Sequence, residues 1–309
     1  MTPRAPLAAL AVGLLAAAPV PLAGQARTPT FGTGIEIINL NLSVTDGRNN
    51  FVVDLAQKDF AVFEDGIRQD LTLFTHENLP ISMVLMIDCS ASMEEKLKTA
   101  QAAAIRFTKT LRPQDLAQVV QFNDRATTLQ SFTNDLGALE AAIQKTEAAG
   151  PTALHNALYV ALKDLMRDKK AAELRRRAIV LLSDGEDTAS LVSDDQVIEL
   201  ARKSEINIYV ISLRQNRPQD RGTQKFSQAE YLVSTLTRET GGRAYFPNSL
   251  SELDRVYDLI AEELRTLYSI GYVSSNARRD GKWRRIVVRV PDREGITIRH
   301  KLGYYAPAS

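Results

Sequence analysis

Residues 81–93 read ISMVLMIDCSASM. The apolar run VLMI (84–87) lacks the in-and-out alternation of a half-exposed strand, and IVLL (179–182) and IYVI (208–211) repeat the pattern. Strands buried on both faces of a parallel sheet require such runs. Helical periodicity at 94–111, 136–146, 153–167, 194–203, 228–239 and 250–267 separates them. The alternation predicts an α/β unit over 78–267, a doubly wound, mostly parallel sheet.

Three loops of that unit carry oxygen-bearing side chains. Asp88 ends the first strand, with Ser90 and Ser92 just after it; Thr152 precedes a helix in GPTALHNAL; Asp184 ends a second strand in LLSDGEDT. In a doubly wound sheet, loops leaving the carboxyl ends of neighbouring strands converge on one crevice. Carboxylates and neutral hydroxyls form a hard donor set, suited to Mg²⁺, Mn²⁺ or Ca²⁺ rather than zinc or copper. Each piece also has a purely local reading. Ser92-Met93-Glu94-Glu95 has the form of a capping box, Asp184-Gly185 of a turn, and Thr152 of a helix cap. Three such coincidences on one sheet edge favour a shared metal site. Glu186 and Asp187 read as a solvated loop, His155 as a partly buried helix residue, and Cys89 as a small apolar group against the sheet. The sequence contains no Gly-x-Ser-x-Gly elbow, HExxH pair or Walker loop, so no catalytic residue is assigned.

At these positions the chain resembles the von Willebrand factor type A family, whose metal-ion-dependent adhesion site has the pattern Asp-x-Ser-x-Ser, then a Thr, then an Asp. The resemblance covers about 190 residues, 81–267. It implies Ser90, Ser92 and Thr152 as direct or near-direct ligands, and Asp88 and Asp184 as direct or water-mediated ones. Ala91 stands where glycine is frequent in the family, and a small residue still fits. The implied function is protein binding or adhesion, with an Asp or Glu of a protein partner completing the shell of the ion. Two other readings remain: a metal-dependent hydrolase, for which only Glu186, Asp187 and His155 offer a general base, and an envelope scaffold whose site stays empty.

Outside this unit the rhythm is that of β structure. IEIINLNLSVTD, FVVDL, FAVFEDG and LTLFTH fall within 31–77, and YSIGYV, WRRIVVRV and ITIRHKLGYY within 268–307. Asp46-Gly47 and Asp65-Gly66 mark turns, and the last three runs are expected as a meander. Each flank is near the lower limit for independent folding, so the two are expected to form one β-sandwich into which the α/β unit is inserted. The flank sequences also resemble segments bordering this domain in exported bacterial proteins described as von Willebrand factor A-related.

Residues 1–26 read as a signal peptide: Arg4, an apolar run over 7–18, then Gly24-Gln25-Ala26. The run is too short to cross a bilayer, and no later stretch is long and apolar enough, so a periplasmic or secreted protein is expected. Lys plus Arg (38) nearly cancels Asp plus Glu (37), so no net field draws the chain to nucleic acid. The basic run Arg175-Arg176-Arg177 has acidic neighbours and reads as a solvated helix end. Cys89 is the single cysteine, which excludes an intrachain disulfide.

Overall fold

The computed structural model describes residues 37–77, 79–167, 175–184, 187–213 and 228–308. The leader read at 1–26, Gly185 and Glu186 lie outside them.

The central sheet is built on β5 (Ile81–Asp88), all eight residues of which are buried. β6 (Leu116–Phe122) runs parallel to it on one side and β8 (Arg176–Ser183) on the other. Beyond β8 come β9 (Ile206–Ser212) and the short β10 (Ala244–Tyr245), both parallel; beyond β6 comes β7 (Ala126–Thr133), antiparallel. Met83, Leu85 and Ile87 of β5 enter one apolar core, beneath α1 (Leu97–Thr108), α2 (Leu136–Gln144) and α6 (Leu253–Thr266). Val84 and Met86 enter another, beneath α3 (Leu154–Arg167), α4 (Asp194–Lys203) and α5 (Gln228–Thr240). Successive side chains of a strand point to opposite faces, so a sheet covered on both sides needs apolar residues at every position. The unbroken runs in the sequence have this cause.

The flanks form two further four-stranded sheets. One, β13-β1-β11-β4, joins β1 (Ile37–Thr45) and β4 (Leu71–Thr75) to β11 (Tyr268–Val273) and β13 (Thr297–Arg299). The other, β14-β12-β2-β3, joins β2 (Ala61–Glu64) and β3 (Ile67–Gln69) to β12 (Trp283–Arg289) and β14 (Gly303–Tyr305). Each sheet thus draws strands from both sides of the central unit. Leu40, Leu42, Tyr268 and Ile270 of the first share one buried cluster with Val62, Ile286 and Val288 of the second. Glu64, 2% exposed, accepts hydrogen bonds from Tyr272 across the sheets at 2.9 Å and from Tyr304 within its own at 3.0 Å.

The expected Asp65-Gly66 turn is present, with φ of 47° and 86° between the paired residues Glu64 and Ile67. The expected meander is not. Both edges of β11 are taken, by β1 and β4, so β12 pairs with β2 and β14 in the other sheet. The segment read as one last strand is split into β13 and β14, one in each sheet.

The basic run is also corrected. Arg176 begins β8 and is 1% exposed. It donates to the carbonyls of Leu264 at 3.0 Å, Arg265 at 3.3 Å, Glu77 at 3.1 Å and Leu267, and to Ser269 Oγ at 3.4 Å. These acceptors belong to the two places where the chain passes between the flank sheets and the central unit. The carbonyls at the end of α6 have no intrahelical partner, and a five-donor guanidinium suits them. Burial pulls its pKa down to about 10, which leaves it charged at neutral pH.

Candidate functional site

β5 is where the strand order reverses: the chain passes from β5 to β6 on one side and later returns to β8 on the other. The crevice of a doubly wound sheet opens beyond the carboxyl ends of strands at such a reversal. Asp88 is the last residue of β5, and Asp184 immediately follows β8.

Asp88 is fully buried and accepts from the Ser90 amide at 2.9 Å and from Ser183 Oγ at 2.5 Å. The hydroxyls of Ser90 and Ser92 lie 3.1 Å apart, and Ser92 Oγ donates to Asp184 at 2.8 Å. Asp88, Ser90, Ser92 and Asp184 therefore form one continuous hydrogen-bonded chain across two loops. Ser92 is no helix cap: it lies within a single 3₁₀ turn at Ala91–Met93, and α1 starts only at Leu97.

Thr152 enters from a third loop that is tied to the other two. The Ala149 amide donates to the Cys89 carbonyl at 2.8 Å, and the Ala91 amide to Gly150 at 2.9 Å. The Thr152 carbonyl accepts from the amides of Thr188 at 2.8 Å and Ala189 at 3.1 Å. The helix-cap reading of Thr152 does not hold either. At the start of α3 the amides of His155 and Asn156 donate instead to Asp187 Oδ1 at 3.1 Å and Ser190 Oγ at 3.0 Å. Among the described residues the Thr152 hydroxyl makes no hydrogen bond, although the residue is only 4% exposed. Asp187 was expected as solvated loop; it anchors the loop after β8 onto α3 because two amides, His155 and Ser190, donate to its carboxylate. His155 is buried against the Val192 carbonyl at 3.1 Å, and Cys89 is fully buried in the core, both as expected.

Two residues of the cluster escaped the sequence reading. Ser183 sits in the quoted LLSDG but had no assigned role. Lys96 lies four residues beyond Ser92, and its ammonium pairs with Asp184, whose side chain is 1% exposed. No local spacing marks it in the sequence, because residues 94–96 precede the first helix.

The electrostatics favour a cation. Burial holds the Asp88 carboxyl above its ordinary range; hydrogen bonds from Ser183 and Ser90 oppose this, while the charge of Asp184 adds to it. Two carboxylates and the one ammonium paired with Asp184 sum to a single net negative charge, so a bound divalent ion would leave positive charge over. Among the described residues no three His, Cys, Asp or Glu side chains gather into a metal-binding group, so hydroxyl oxygens must supply part of any shell. Such an oxygen-only set fits a hard ion.

Residues 83–186 match the family model of the von Willebrand factor type A domain, as the sequence resemblance implied. A UPF0353 protein of Nocardia farcinica is 28% identical over 232 residues, 65% of this chain and 67% of its own length. Inter alpha-trypsin inhibitor heavy chain 4 of Mus musculus is 29% identical over 127 residues, 37% of this chain and 14% of that protein. The chain thus spans about two thirds or less of the length of these relatives. A solved structure, a von Willebrand factor type A protein from Catenulispora acidiphila, superposes with a TM-score of 0.50 at 14% identity, covering 90% of this chain and 76% of that one. That likeness concerns the fold.

Proposed function

We propose that the von Willebrand factor type A domain carried by this chain is a metal-ion-dependent protein-binding module, with Asp88, Ser90, Ser92, Thr152 and Asp184 holding Mg²⁺, or Mn²⁺ or Ca²⁺ in its place. When bound, the ion supplies positive charge and an open coordination position for the Asp or Glu carboxylate of a protein partner. Asp88 and Ser90 fix the floor of the site, Ser92 and Asp184 its rim, and the Thr152 loop closes its side. Lys96 pairs with Asp184 and offsets part of its charge. The observation that carries the reading is the hydrogen-bonded chain from Asp88 through Ser90 and Ser92 to Asp184, assembled from two loops at the strand reversal.

In this reading the domain occupies 78–267 of an exported protein, and the two flank sheets are one β-sandwich from which it projects. The leader-like composition of 1–26 supports export. Among the described residues no helix is long and apolar enough to cross a membrane.

Calorimetric titration with Mg²⁺ tests the proposal. Wild type should bind and Asp88→Ala should not, with circular dichroism showing both folded. Equal affinity in the two proteins would reject it.

A further inference from the structure

Both carboxylate oxygens of Asp184 are engaged. Oδ1 accepts from Ser92 Oγ at 2.8 Å, and Oδ2 accepts from the Lys96 ammonium. Among the described residues the Lys96 side chain has no other hydrogen-bond or ion-pair partner. The carboxylate is closed to water, with the Asp184 side chain 1% exposed, whereas that of Lys96 is 21% exposed and reaches solvent along one side.

The two partners of Asp184 differ in what else they can do. A hydroxyl donates one hydrogen bond and keeps lone pairs, so Ser92 can bond to Asp184 and face an ion at the same time. An ammonium has three donors and no acceptor, so Lys96 cannot contribute to the shell of a cation and only repels it. Its place in the chain is also electrostatically unfavourable. Lys96 immediately precedes α1, where the unpaired amides of the first turn present partial positive charge. The Asp184 carboxylate offsets both the ammonium and that helix end. An ion that engages Asp184, directly or through water, removes this offset, and the flexible four-carbon stem gives Lys96 a way out to solvent.

We infer that Lys96 is an internal competitor of the divalent ion: its ammonium holds Asp184 in place at low ion concentration and has to be displaced from the carboxylate when the ion binds. This rests on the metal-site reading and adds to it the residue that sets the ion affinity. Lys96 is a positioning residue, acting through Asp184. The cost of displacing it weakens ion binding, while its presence spares the buried Asp184 from standing uncompensated.

Calorimetric titration of the full chain with Mg²⁺ tests the inference in wild type, Lys96→Met, Lys96→Gln and Lys96→Arg, with Lys98→Met as control, since Lys98 is an exposed lysine two residues away. Lys96→Met and Lys96→Gln should bind Mg²⁺ about tenfold more tightly than wild type, about 1.4 kcal/mol. Lys96→Arg and Lys98→Met should stay close to wild type. Thermal unfolding supplies a second readout: Lys96→Met should melt below wild type in chelator and gain more from saturating Mg²⁺ than wild type does. A lysine with a merely structural role would give weaker ion binding on removal, never tighter. Equal or weaker Mg²⁺ binding in both Lys96→Met and Lys96→Gln, or an equal gain in Lys98→Met, overturns the inference and leaves the metal site standing. Binding in neither wild type nor any Lys96 variant overturns the metal site itself, and this inference with it.

Discussion

Replacing Arg176 by methionine keeps most of the aliphatic volume and removes every donor. Two acceptors, the carbonyls of Leu264 and Leu267, belong to residues only 2% and 0% exposed, so water cannot replace the guanidinium there. A stranded buried carbonyl costs about 1–3 kcal/mol. Two of them give roughly 2–6 kcal/mol, while relief of the desolvation of a buried charge offsets part of this. The net expectation is a loss of about 3–4 kcal/mol; at about 2–4 °C per kcal/mol for a chain of this size, the midpoint falls by around 10 °C. Arg176→Lys keeps the charge but cannot reach acceptors on both crossings, so it should fall between wild type and Arg176→Met. Urea unfolding followed by circular dichroism measures the difference. A loss under about 1 kcal/mol in Arg176→Met would show that the clamp is incidental.

The remaining predictions concern the site, a close backbone approach and pH. In chelator, Asp88→Asn should unfold at a higher temperature than wild type, because burial and Asp184 both disfavour the Asp88 charge. Excess Mg²⁺, at about a hundred times its Kd, should stabilise wild type by about 2.7 kcal/mol and leave Asp88→Asn unchanged in the same thermal assay. In Gly242→Ala the new Cβ would fall 1.9 Å from the Ile208 carbonyl oxygen, so a loss of at least about 3 kcal/mol is expected by denaturant titration. His300 takes a hydrogen bond on Nε2 from the Val288 amide at 3.3 Å and is held below its ordinary pKa, chiefly by burial. The folded state therefore resists protonation: stability is full above the unfolded histidine value near 6.5 and is lost as pH falls below it. Replacing His300 by glutamine should lower that slope by up to about 1.4 kcal/mol per pH unit in denaturant titrations from pH 7 to 5.

Much of the central unit was legible because burial on both faces leaves no freedom in composition. β5, β8 and β9 show it directly, and α4 has the predicted bounds, 194–203, because Ser193 and Gln196 form a capping box there. β7 was missed: it is an edge strand with no buried residue, and ATTLQSFT lacks an apolar pattern. The fate of 296–305 was also hidden, since pairing depends on which strand edges remain free, and no single segment carries that information. Asp88, Ser90, Ser92 and Asp184 were readable because their positions at strand ends fix where they meet. Lys96 and Arg176 were not, being two among 38 lysines and arginines, distinguished only by what surrounds them in space.

β5 has a mechanical consequence. Its first residue adjoins the passage from the flank sheets, and its last is Asp88, about 23 Å further along at 3.3 Å per residue. A tug on anything held at Asp88 would run straight down this strand toward its anchorage. The bonds to β6 and β8 on either side would then have to slide together, instead of parting one after another. An otherwise ordinary α/β core could thus resist a pull applied at the proposed site.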